Sequence, residues 1–117
     1  MYDSPRLKAL KRTTYLLVSA GFQSRHRGYR YLREAVWIAW KEPVMLRSVT
    51  KCLYPEVAKR FDTTSKQVER AIRNTIETAW LYGNADTLAV IFGDLFTQSN
   101  ERPTNSEVIQ VLVDNIF

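Results

Sequence analysis

Residues 55–82 read PEVAKRFDTTSKQVERAIRNTIETAWLY, and the punctuation of this stretch decides the fold. Pro55 opens a short helix, Pro55–Phe61, because proline is already set for a first helical turn. Asp62-Thr63-Thr64 makes a three-residue turn. Thr64 stands three residues before Gln67, a capping-box spacing in which hydroxyl and amide each satisfy an orphan N–H. The spacing predicts a long helix over Ser65–Tyr82, ended by Gly83 or Asn84. A short helix, a tight turn and a long helix are the layout of a helix-turn-helix. Val57, Ala58 and Phe61 are expected to face Val68, Ala71 and Ile72, with Ile76 and Ala79 continuing the buried stripe.

The remaining segments repeat the helical period, and none sustains a period of two. Ser4-Pro5 reads as an N-cap and first helical position, and Gly21 as a stop. Leu7, Leu10, Thr14 and Leu17 mark the inner face between them. A second helix is predicted over Gly28–Lys41, closed by Pro43. Residues Val44–Leu53 fit either a helix or a packed connection. Asp86–Phe92 reads as a short helix stopped near Gly93, and the polar Asp94–Pro103 as a loop. Thr104-Asn105-Ser106-Glu107 is a second capping box, leading a last helix with Val108, Ile109, Leu112, Val113 and Ile116. The fold class is therefore all-α, a compact domain of about six helices spanning residues 1–117.

Composition narrows the function. The 117 residues are 45% hydrophobic and 25% charged, which is globular rather than disordered. No stretch approaches the roughly 18 apolar residues of a membrane span. The apolar run at Tyr15–Val18 is too short for a cleaved signal. A single cysteine, Cys52, closes no internal disulfide and builds no metal cluster, which fits a reducing compartment, and no metal or cofactor is expected. The net charge of +5 is unevenly spread: residues 1–73 carry +10 and residues 74–117 carry −5. A clustered positive field attracts a polyanion, and the first part of the chain has one.

On the outer face of helix 65–82, Lys66, Arg70 and Arg73 line one ridge at i, i+4 and i+7, beside Gln67, Glu69, Asn74 and Glu77. An arginine fork fits guanine O6 and N7, a carboxylate accepts from cytosine N4, and an amide pairs with adenine. The same face would also serve as a solvated surface with Glu69–Arg73 as an ordinary ion pair. Arg25, Arg27, Arg30 and Arg33, with Lys51, Lys59 and Arg60, are candidate phosphate contacts, as are the hydroxyls of Ser48, Thr50 and Thr64. Trp37, Trp40 and Trp80 read as core residues rather than stacking platforms. Catalysis has little to work with. His26 is the only histidine, sits in a basic loop, and has no nucleophile elbow, phosphate loop or metal-ligand spacing beside it.

Residues 28–36 (GYRYLREAV) and 49–61 (VTKCLYPEVAKRF) resemble the C-terminal effector domain of stage-zero sporulation protein A. Thr63-Thr64, residues 68–73 (VERAIR), Ala79-Trp80, Gly83-Asn84 and the Arg102-Pro103-Thr104-Asn105-Ser106-Glu107 run extend the likeness over about residues 14–113. The resemblance implies a cytoplasmic, DNA-binding transcription regulator of sporulating Firmicutes that reads a TGTCGAA-like element. It puts base reading on Glu69, Arg70 and Arg73; Asn74 beside them is a further candidate for a base, and Lys51, Lys59, Arg60, Thr64, Lys66 and Gln67 are candidates for the backbone by their charge and hydrogen-bonding groups. Lys66-Gln67 replaces the family's usual Ser-Arg pair, which moves a cation by about 100° around the helix. Asn74 stands where histidine is common. The resemblance also implies a surface for RNA polymerase sigma factor at Asp86–Phe92, which on its own reads as a packing helix.

That family carries an N-terminal receiver domain that controls dimerisation. No receiver is expected within this chain, whose first residues read as a helix. It is then either an excised domain or a receiver-less relative, expected to be a monomer that pairs only on tandem DNA sites. In the second case it would act as a protein-interaction module or a competitor rather than a direct activator.

Overall fold

The computed structural model describes residues 4–98 and 101–116. Among them are seven α-helices: α1 (Pro5–Ser19), α2 (Arg27–Lys41), α3 (Tyr54–Arg60), α4 (Ser65–Tyr82), α5 (Ala85–Phe92), α6 (Asp94–Thr97) and α7 (Asn105–Asp114). No strand occurs among the described residues. A 3₁₀ turn (Pro43–Arg47) and a single π-helical turn (Val49–Leu53) join α2 to α3, so the segment left open between helix and connection is tightly wound on both halves.

The caps fix the ends. Ser4 Oγ accepts from the Leu7 N–H at 3.1 Å, with Pro5 behind it. Gly21 follows α1 at φ +88°, a conformation that favours glycine, and a β-carbon there would lie 2.8 Å from Asn84 N and Gly83 Cα. The end of α1 is thereby seated on the end of α4, and Asn84 donates to Ala20 O at 2.9 Å. Both arms of the box at Thr104 and Glu107 are made. At Thr64 only one is: its hydroxyl accepts from Gln67 N, while the Gln67 amide oxygen accepts from the Thr63 hydroxyl instead. The turn contains no glycine, and Asp62 takes its left-handed position at φ +51°.

Helix α2 is the centre of the packing and lies against α1, α4 and α7. Ten of its residues are buried, which leaves little more than one edge for solvent. It crosses α4 at Gly28, where a β-carbon would come within 2.0 Å of the Ala71 carbonyl oxygen. Val57 and Ala58 of α3 meet Val68 and Ile72 of α4 in one core that Ile76, Ile109 and Leu112 share. Trp80 tilts against Phe92 at 4.9 Å and meets Phe96 edge-on at 5.6 Å, which holds α5 and α6 to α4. Trp37 is buried and stacks with Trp40.

Three expectations change. The inner face of α1 is Ala9, Thr13, Leu16 and Leu17, and Leu7 is 42% exposed. Thr13 escapes an apolar reading, yet its hydroxyl donates to Ala9 O at 2.7 Å and needs no water. The 94–103 loop is interrupted by α6, one turn whose Phe96 and Leu95 pack on the core; Ser99 and Asn100 lie outside the described residues. The helix count is seven rather than about six. Because a backbone carbonyl, not a movable side chain, faces Gly28, Gly28→Ala is expected to cost about 1–3 kcal/mol or more in overpacking. Chemical denaturation measures it.

Candidate nucleic-acid interface

Helix α4 buries Val68, Ile72, Thr75, Ile76 and Ala79 and leaves its other face free. Lys66, Gln67, Arg70 and Asn74 are exposed there, while Glu69 and Arg73 are half-buried. The sequence ridge therefore divides. Lys66, Arg70 and Asn74 project outward, whereas Glu69 and Arg73 pair at 3.3 Å and line a cleft against the start of α7. That cleft holds about 280 Å³ and also has Thr50, Tyr54, Arg102 and Ser106 in its walls. On the N-terminal side of α4, Arg27 and Arg30 border a second cleft of about 390 Å³ with Thr63 and Gln67. The outer face of α4 thus stands between two clefts whose walls include arginines.

Candidate backbone contacts fall into free and tied groups. Lys51 and Lys66 are exposed, as are Arg25, Arg27 and Arg30. Lys59 is exposed beside Glu56 at 3.3 Å, a surface pair of little energetic weight. Thr64 is occupied as the cap of α4. Arg60 donates to Glu34 at 2.7 Å. Arg33 donates to Thr14 and lies over the Tyr29 ring at 5.2 Å, so its side chain is fixed on the α1 side of α2.

Sequence reasoning missed the residues that hold this surface. Glu34 is 4% exposed on α2, and its carboxylate takes both ends of the Arg6 fork at 3.0 Å as well as Arg60. A lone acid one helical turn from Tyr31, Trp37 and Ile38 is the available signal, since such an acid is buried only when paired. Asn105, inside the second capping box, is buried and donates to Tyr54 Oη at 3.0 Å and to the Glu69 carbonyl at 3.1 Å. Burial holds the Tyr54 hydroxyl above its ordinary range, against the stabilising Asn105 amide. His26, expected only as part of a basic loop, precedes α2 and bonds through Nδ1 to the buried Thr75 hydroxyl at 3.0 Å.

No group of three or more His, Cys, Asp or Glu residues that could hold a metal occurs among the described residues. No described helix is long and apolar enough to cross a membrane. A short helix that buries Val57 and Ala58, a glycine-free turn and a second helix with one polar face free form a helix-turn-helix. The family model described as "Sporulation initiation factor Spo0A C terminal" matches residues 13–116, and the chain belongs to that family. It is a DNA-binding domain of the sporulation-regulator type. The family is one of DNA-binding domains rather than enzymes.

Glu34→Gln keeps the shape of the side chain and removes the charge that both arginines share. With the arginine heads partly exposed, the expected loss of stability is about 1–2 kcal/mol, read from thermal or urea unfolding.

Proposed function

We propose that this domain reads a TGTCGAA-like element by laying α4 in the major groove. The observation that carries this is the free face of α4, where Arg70 and Asn74 project outward with the half-buried Glu69–Arg73 pair along its edge, on a helix whose opposite face is buried. In this reading Arg70 and Arg73 take guanine edges, Glu69 accepts from a cytosine amine, and Asn74 meets a neighbouring base. Lys66, Gln67, Thr64, Lys59, Arg60 and Lys51 contact the backbone on either side. Arg60 does so from its Glu34 tether, which fixes its guanidinium before DNA arrives.

The Glu69–Arg73 pair gives a physical basis for discrimination. Its partners satisfy one another in the free protein, so binding exchanges an ion pair for base contacts. A cytosine–guanine step completes the exchange for both residues. Another base pair leaves one of them unpaired in a desolvated groove, which is costly.

Tandem pairing of monomers on DNA, and contact of the α5 segment with RNA polymerase sigma factor, belong to the same reading. Val90 of α5 is 85% exposed, which leaves an apolar side chain available to a partner.

Fluorescence anisotropy with a TGTCGAA duplex and a scrambled duplex, titrated across salt, tests the proposal. The TGTCGAA duplex should bind more tightly, and the preference should persist at physiological salt. Arg70→Ala or Arg73→Ala is expected to cost about 1–3 kcal/mol on that duplex and to relax the preference. Lys59→Ala should weaken both duplexes alike and flatten the salt slope. Equal losses on both duplexes from Arg70→Ala would refute base reading, and equal, salt-labile binding of both duplexes by the unaltered protein would favour a protein-interaction module.

A further inference from the structure

The cleft between α4 and the start of α7 contains more polar chemistry than the fold requires. Its walls include Thr50, Tyr54, Arg73, Arg102, Thr104 and Ser106, beside Glu69 and Asn105. We propose that it seats one phosphate of the DNA backbone, held by Arg102 with the Thr50, Tyr54 and Ser106 hydroxyls at the N-terminus of α7. The proposal rests on the DNA reading above and adds to it a contact on the far side of α4 from Arg27 and Arg30.

Three features support the assignment. Helix α7 has ten residues, and its first turn brings unpaired N–H groups and a partial positive charge to the cleft. The Tyr54 oxygen accepts from the Asn105 amide, which leaves the hydroxyl hydrogen to donate elsewhere, and Tyr54 lines the cleft. Asn105 itself is 7% exposed, and its Oδ1 has no partner among the described residues. An orphan acceptor on the wall of a polar cleft calls for a donor. A water donating to Oδ1 and to a phosphate oxygen supplies one and completes the seat.

The acids nearby are already engaged. Glu107 accepts from the Thr104 N–H; Glu69, paired with Arg73 in the free protein, turns to a cytosine amine in the DNA reading above; and Glu77 pairs with Arg102 at 3.0 Å. This last pair makes the seat adjustable, because a phosphate and Glu77 compete for one guanidinium. Removing the guanidinium and removing its competitor should therefore move affinity in opposite directions.

The test uses the whole chain and the two duplexes. Arg102→Gln is expected to weaken both by a similar factor, about three- to tenfold, and to lower the salt slope by about one. Glu77→Gln should tighten both about two- to threefold, and Arg102→Lys should recover part of the loss. Thermal unfolding establishes that each variant is folded. A set of duplexes with single methylphosphonates should contain one position that weakens the wild type but adds nothing to Arg102→Gln. Unchanged affinity and slope in folded Arg102→Gln, or no such masked position, overturns the seat and leaves base reading intact. Wild-type protein that binds neither duplex removes both proposals. Titration with inorganic phosphate, followed at the Ser106 amide by NMR, separates the sources. A shift there without any effect of Arg102→Gln on DNA makes this a small-anion site and overturns the DNA assignment.

Discussion

No side chain fits between Gly28 and the backbone of α4, and this close crossing sets the position of everything that reads outward. With a β-carbon there, the Ala71 carbonyl would have to withdraw. Ala71 lies between Arg70 and Ile72, so the crossing point is one residue from an exposed arginine and one from the core. The height of the reading face above α2 is thus fixed by the absence of a methyl group. Helices packed through larger residues stand 8–10 Å apart, with room for adjustment that this contact removes.

Polar groups then fix rotation. Of the four buried polar residues among those described, Thr13 is satisfied within its own helix, and the other three connect elements. Thr75 bonds to His26 ahead of α2, Asn105 bonds to the middle of α4, and Glu34 joins α1, α2 and α3. Apolar packing is tolerant of small rotations, whereas a buried hydrogen bond lost to rotation costs the full desolvation of its groups. Two of these tethers reach α4 and the third reaches the helix that precedes it, so directional restraint is concentrated on the helix-turn-helix.

Much of this was legible in the sequence because local rules and tertiary packing agree. The bounds of α4 follow from Thr64 and Gly83, and the apolar stripe of α3 and α4 from helical spacing. The start of α7 follows from a box that is made in full. The inner face of α1 differs from its period because Leu7 matches the spacing yet stays largely exposed, while Thr13 hides its polarity in a bond to its own helix. Helix α6 was invisible because a single turn has no period to detect, and Trp80 supplies its reason to form. At the site, residue types on α4 were readable and their grouping was not. Whether Arg73 stands with Arg70 or turns toward Arg102 depends on where α7 lies, and residues 73 and 102 are brought together only by folding.

Glu34 is also the junction of a mechanical path. Arg6 grips it from the first turn of α1 and Arg60 from the last turn of α3, so one carboxylate links the N-terminal helix to the helix-turn-helix. Arg6 lies, in addition, over the Trp37 ring at 5.9 Å. A pull or twist applied at the beginning of α1 is therefore not absorbed by its own turns. It is shared through two ion pairs with Arg60, two residues before the Asp62-Thr63-Thr64 turn that leads into the base of α4.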